Sequence, residues 1–407
     1  MRTHPFAGLP REVAVLTAVA FSVAVGFGVV APAIPVFARE FGVGRTAAGA
    51  VISAFAFMRL VSALGSGRLV DRLGERVVLA TGIGIVAVSS ALAGLAQSYA
   101  QLLILRGIGG IGSAMFTVSA ISLLLRVVDA DQRGRATGMW QSGFLLGAIG
   151  GPALGGPLAD ISVRAPFFVY AATLALAGAI GMAFLTKAHL QEKAAGEEEP
   201  TRRTTLPEAL RVSGYRAALL SNLGTGWALF GVRSSLIPLF VTEGLGRSTA
   251  WVGVGFFVSA ATQGALLLPV GRFVDTTGRR PAMVAGAALA TFSMGMLAAV
   301  ESVAVYVIAM AIFGVGAAFL SIAPSATVGD VVSGRGGTVV AAFQMASDFG
   351  AVVGPLVAGG LADNYSFGAA FGATAVVLLI GLGAALASRE TRHRPQEQGP
   401  EVTASAG

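Results

Sequence analysis

The chain has 407 residues, 55% hydrophobic and only 12% charged, with a formal net charge of +7 and no cysteine. An average soluble domain carries about 25% charged residues, so this chain lacks the polar surface that water requires, and its mean hydropathy is +0.76. The missing cysteine excludes disulfide frameworks and thiolate metal sites, and the basic residues, spread among short loops, argue against a nucleic-acid partner.

The first apolar run, 13–37, holds no charge over 25 positions, where a bilayer needs about 20. It is too long for a secretory leader, lacks a small-x-small cleavage site and has a counterpart later in the chain, so it reads as a retained membrane helix. Eleven further apolar segments follow, at 46–67, 77–96, 100–125, 136–159, 164–186, 214–240, 249–271, 281–300, 303–328, 337–361 and 366–388. The predicted fold class is an all-α membrane protein with twelve transmembrane helices.

An even number of crossings puts both chain ends on one side. The loops and ends of that side hold 21 of the 28 Lys and Arg, the opposite loops hold four (Arg39, Arg45, Arg164, Arg247), and Arg59, Arg106 and Arg233 lie inside spans. The positive-inside rule makes that side, with both termini, cytoplasmic. Residues 188–213 form the only long connection, and their mixed charge predicts a flexible cytoplasmic linker between helical units 1–187 and 214–390. The tail 391–407, rich in Pro, Gln, Glu and Gly, is predicted to be disordered. Tyr99, Trp251, Tyr306 and Tyr365 fall at the outer ends of spans, where an aromatic belt belongs. The three histidines lie outside every apolar run, which excludes an intramembrane histidine relay.

The two halves repeat. Gly67-Arg-Leu-Val-Asp71-Arg72-Leu-Gly74-Glu-Arg76 recurs as Gly271-Arg-Phe-Val-Asp275-Thr-Thr-Gly278-Arg279-Arg280. Gly151-Pro152, Gly155-Gly156 and Asp160 recur as Gly354-Pro355, Gly359-Gly360 and Asp363, always 203 or 204 residues later. A polar hinge repeated between apolar segments means duplication of a membrane unit, the architecture of a secondary transporter.

With these residues on view, the chain resembles the major facilitator superfamily over nearly its whole length. The 67–76 stretch is similar to that family's hinge motif. Leu102-x-x-x-Arg106-x-x-x-Gly110 is similar to its membrane-arginine motif, and Gly147-x-x-x-Gly151-Pro152-x-x-Gly155-Gly156 to the motif associated with its antiporters. The resemblance implies two pseudo-symmetric six-helix bundles working by alternating access, with the hinge cluster (Gly67, Asp71, Arg72, Gly74, Arg76 and their repeats Gly271, Asp275, Gly278, Arg279, Arg280) latching the cytoplasmic side when the cavity faces outward. The second half departs from the pattern: Thr276 replaces the hinge arginine and Met310 stands where Arg106 would repeat.

Charges inside a membrane cost about 2.5–3.5 kcal/mol each on insertion scales, so those retained are functional candidates. Asp348 is the only carboxylate well inside a span and is the expected proton carrier, with Arg233 or Arg59 as partner; sequence does not choose between them. Three arginines against one aspartate leave an excess of two positive charges, which an acidic or zwitterionic substrate group or a carbonyl cage would compensate in part. Gln263 and Trp227 are further cavity candidates. The glycines at 143, 147, 151 and 155 bare one helix face and Pro152 bends it, which suits a contact between the halves that opens and closes.

Gly107-Ile-Gly109-Gly110-Ile-Gly112 matches a dinucleotide pattern but sits in an apolar helix with no preceding strand, so it reads as helix packing. No Walker motif, zinc-protease motif or nucleophile elbow is present, and neither enzyme activity, cofactor nor metal is expected. The expected function is proton-coupled efflux of small organic or drug-like molecules by a monomer in a bacterial inner membrane. The alternatives are proton-coupled uptake of an organic anion or metabolite, and a sensor or scaffold that moves nothing.

Overall fold

The computed structural model describes residues 9–128, 132–184, 204–332 and 337–391. Most of the linker expected over 188–213, and the expected tail beyond Thr391, lie outside the described residues. Within them the backbone is helical, because a chain in hydrocarbon satisfies its N–H and C=O groups inside each segment.

In chain order the first half holds α1 (Arg11–Val30), α2 (Ala33–Arg39), α3 (Arg45–Leu73), α4 (Glu75–Gly94), α5 (Tyr99–Val127), α6 (Arg133–Ile161) and α7 (Ala165–Phe184). The second holds α8 (Leu206–Arg211), α9 (Ser213–Thr225), α10 (Arg233–Leu239), α11 (Thr249–Thr276), α12 (Arg279–Ala299), α13 (Val303–Val331), α14 (Gly337–Asn364) and α15 (Phe367–Ala387). α3, α5, α6, α11, α13 and α14 each have 28 or 29 residues. At 1.5 Å per residue they run about 42–44 Å, beyond the ~30 Å hydrocarbon slab. The others that match a full span, α4, α7, α12 and α15, have 20 or 21. The same order of long and short helices in both halves is the duplication made visible.

Among the described residues, eleven helices, counting α1 with α2 as one, are long and apolar enough to cross a membrane. The twelfth predicted span, 214–240, is helical throughout but not regular. It runs as α9, a wide π turn (Gly226–Val232), α10, and a second π turn (Phe240–Gly244). Two local features accompany the widening: Pro238, which has no N–H to donate, and Gly226, where an added Cβ would collide with the Ser347 carbonyl of α14. The first span is also broken, between Val30 and Ala33 at Pro32.

α1 and α3–α7 pack among themselves, as do α9–α15. The two groups meet along α3 with α14 and along α6 with α11, two contacts that the repeat makes equivalent, while α2 packs on α10. The start of α1, residues 389–391 and the 73–75 and 276–279 hinges share one face, the terminal face; the 40–44, 162–164 and 245–248 turns share the opposite, distal face. Each hinge turns on a glycine at positive φ, Gly74 (82°) alone in the first and Gly278 (131°) after Thr277 in the second, a backbone region that residues with a Cβ rarely adopt. Gly278 is further constrained by Glu390, which accepts the Arg279 and Arg280 amides at 2.9 and 3.0 Å.

Three expectations are corrected here. The stripe Gly143, Gly147, Gly151 and Gly155 does not join the halves: a Cβ there would collide with the carbonyls of Thr17, Phe21, Val25 and Val29, so it serves close packing of α6 on α1 within the first bundle. Among the glycines of α6, the contact between halves falls to the next residue round the helix, Gly156, against Thr249, Ala250 and Gly253 of α11, with the Pro152 carbonyl beside Gly253 and Leu145 and Ile149 against Gly264. Gly67 and Gly74 of the hinge are expected from sequence to permit close backbone approach, but nothing lies within 4 Å of either Cβ position. Tyr306 is not in an aromatic belt; it is fully buried, donating to the Trp251 carbonyl at 3.2 Å.

Candidate functional site

At the distal face the bundles are joined. Arg39 and Arg45 donate to Glu243 at 2.6 and 2.9 Å, Arg45 also donates to the Ala362 carbonyl at 2.6 Å, and carboxylates at the ends of α6 and α14 bond to the opposite bundle. Below this, Pro355 of α14 packs on Gly49 and Gly231, Gly354 packs on Trp227, and Ser53 donates to the Val352 carbonyl at 2.7 Å. The next hydrogen bond down between the bundles runs from the Arg59 guanidinium to the Asp348 carboxylate.

This pair is placed by glycines on both sides. Arg59 lies fourteen residues into α3, about 21 Å from its distal start. Phe55 and Met58, on the turn before it, pack on Gly110 and Gly107 of α5, part of the glycine run read from sequence as helix packing. Asp348 is gripped on either side along α14: just before it the Ser347 carbonyl packs on Gly226, and two residues after it Gly350 packs on Leu223 and Trp227. The structure thus selects Arg59, not Arg233, as the partner of Asp348. The Arg59 side chain is 42% exposed and that of Asp348 18% exposed, so the pair is reachable and not sealed in a core. No pair stands at the equivalent α6–α11 contact, where Gln263 replaces the arginine and Ile149 and Leu145 pack on Gly264.

Arg106 and Arg233 are not brought to this pair. Arg106 is 3% exposed, its guanidinium over the Phe55 ring at 4.5 Å; that of Arg233 lies over the Phe256 ring at 4.8 Å. The Nε of each is enclosed without a hydrogen-bond partner, and neither forms an ion pair among the described residues. Trp227 is buried and donates to Thr374 of α15 at 3.3 Å, which makes it packing inside the second bundle. Gln263 is half-buried.

At the terminal face the hinge residues do not meet across the halves. Asp71 and Arg72 are exposed and form no hydrogen bond or ion pair among the described residues. Asp275 is 74% exposed at its side chain and pairs only with Arg279, one helical turn on. Arg76 donates to the Met182 carbonyl and Arg280 to the Leu386 carbonyl, both at 2.7 Å and at positions 204 residues apart. One arrangement was missed from sequence. Glu75 pairs with Arg126 at 3.1 Å, and at the repeat positions Arg279 pairs with Asp330 at 3.0 Å. Both partners are offset by 204 and both signs are reversed, a signal visible in the sequence once the repeat register is laid over charge.

The sequence model of the Major Facilitator Superfamily matches residues 16–262 and 218–406. Multidrug resistance protein 1 of Bacillus subtilis (strain 168) is 28% identical over 378 residues, covering 90% of this chain and 94% of that protein. Quinolone resistance protein NorA of Staphylococcus aureus (strain MRSA252) is 27% identical over 172 residues, 42% of each chain. Among solved structures, a bacterial homolog of the human lysosomal transporter Spinster, in an inward-facing and unoccupied conformation, superposes with a TM-score of 0.73 at 16% identity, covering 92% of this chain and 95% of that one. The human organic anion transporter MFSD10 superposes with a TM-score of 0.68 at 18% identity, covering 92% and 100%.

Proposed function

The chain belongs to the Major Facilitator Superfamily, a family of multi-pass membrane transporters for small molecules rather than enzymes, and from that premise we propose that it is a proton-driven antiporter that exports small drug-like molecules. It works as a monomer in a bacterial inner membrane, with its terminal face in the cytoplasm, by alternating access between bundles 1–187 and 214–390. The names of the two bacterial relatives support export of drugs as the substrate class.

The observation that carries this reading is the Arg59–Asp348 pair, a carboxylate and a guanidinium bridging the two bundles at mid-depth. Protonation of Asp348 removes one of the two charges and with it most of the attraction. A proton bound there from outside weakens the link while the cavity faces outward. The bundles then rock, the cytoplasmic hinge cluster around Asp71 disengages, and the state described here results: closed at the distal face, with Asp71 unpaired. Loss of the proton to the cytoplasm restores the pair and readies the site for drug.

The second reading, transport of an organic anion, is favoured by one observation. Arg106 and Arg233 are enclosed with no carboxylate partner, and a buried cation is most stable beside an anion.

The test is flux in proteoliposomes carrying an imposed pH gradient. Addition of a quinolone or a lipophilic cationic dye is expected to speed collapse of the gradient while the compound moves against its own concentration. A response only to organic anions would replace export of drugs with the second reading. Absence of any flux with either class would leave a sensor or scaffold and overturn both.

A further inference from the structure

The carboxylates of Asp160 and Asp363 are 203 residues apart in the repeat and occupy the distal ends of equivalent helices. Neither bonds within its own bundle. Asp363, at the end of α14, accepts the backbone N–H groups of Arg45 and Thr46 at 2.8 Å each and the Thr46 hydroxyl at 2.7 Å. Asp160, at the end of α6, accepts the Ala250 N–H at 3.1 Å and the Thr249 hydroxyl. Arg45 and Thr249 are the first residues of α3 and α11, and the residues that should cap those helices, Gly44 and Ser248, supply no side-chain cap. Each carboxylate therefore caps a helix of the opposite bundle.

A helix begins with four N–H groups that lack intrahelical partners and with the positive end of its dipole. A cap is normally local, from the residue just before the helix. Here the chain has moved both caps across the interface, so the two helix starts are capped by a carboxylate only while the distal mouth is shut and fall to water when it opens. A static fold gains nothing from this over a local Ser or Asp. A fold whose bundles must separate gains a latch that is directional, short-ranged and made twice by one duplication.

We propose that Asp160 and Asp363 are positioning residues of the transport cycle that hold the distal mouth closed, in trans, on the N-termini of α11 and α3. The proposal rests on the alternating-access reading but not on the identity of substrate or coupling ion. Asp363 is the stronger of the two. Its helix start carries Arg45, which also holds Glu243, and Glu243 in turn holds Arg39. The start of α11 offers only neutral groups, from Ser248, Thr249 and Ala250.

The absence of cysteine allows a direct test on the full chain in oriented vesicles, with no substrate and no pH gradient. Ser53→Cys is the reporter: Ser53 is 4% exposed, on α3 between the distal caps and Arg59. An impermeant maleimide applied to the distal face is expected to label it about tenfold faster in Asp363→Asn, severalfold faster in Asp160→Asn and fastest in the double variant, as weakening caps shifts the population toward the outward-open state. Labelling from the terminal face is expected not to rise, and Asp363→Glu is expected to restore most of the parent rate. Distal rates within twofold of the parent in both single variants and the double would overturn the proposal, as would an equal rise from both faces, which is the mark of a loosened fold. Should Asp363→Asn fail to fold, Asp160→Asn and Thr46→Ala carry the same comparison. Failure of drug flux with a positive labelling result would remove the proposed substrate and leave the latch standing.

Discussion

In the proposed cycle one guanidinium and one carboxylate carry most of the chemistry at the residue scale. Asp348 was legible in the sequence because it is the only carboxylate deep in an apolar run, and a charge there is too costly to be retained without use. Its partner was not legible, because Arg59 and Arg233 stand on different helices and only packing decides which meets α14. With Arg59 42% exposed at its side chain, the pair's worth lies toward the ~1 kcal/mol of solvated pairs rather than the 3–5 kcal/mol of sealed ones. A switch broken by one proton in every cycle needs that modest value. Asp348→Asn is expected to abolish gradient-driven transport, a fall of about 100-fold or more in accumulation, while substrate exchange at equal pH continues. Driven transport at the parent level would remove Asp348 from the coupling mechanism.

Among the elements, glycine decides which helices touch. The i+4 glycines of α6 were correctly read as a bare face, but what a bare face meets is a tertiary fact: Gly143, Gly147, Gly151 and Gly155 meet α1, and only Gly156 meets α11. A rotation of about 100° between successive helical residues separates internal packing from the moving interface. The reversed pairs Glu75–Arg126 and Arg279–Asp330 give a sharper test of element packing, because each half already contains the other's solution. Glu75→Arg or Arg126→Glu alone places like charges together and is expected to cost about 1 kcal/mol or more, read as a lowered melting temperature in detergent. The double exchange is expected to recover most of that loss. A double variant no better than the worse single would show that the two halves do not use the pair equivalently.

For the whole molecule, duplication is the governing fact. It predicts that single cysteines placed at the two chain ends will be labelled from the same face of a vesicle; labelling from opposite faces would break the twelve-span topology on which the proposed cycle depends. Spans, repeat register, family resemblance and the hinge positions were all written in the sequence, because lipid demands long apolar helices and a duplicated gene keeps its offsets. The irregular seventh span was not: its first π turn starts at Gly226, where α14 presses, and no periodicity in 214–240 announces that contact. Nor did the residues themselves say which face of the bundle is shut. Closure is a difference between two packings of one chain, and it took the tertiary structure to bring Asp160 and Asp363, 90 and 318 residues from the amides they accept, onto the helix starts that hold this one.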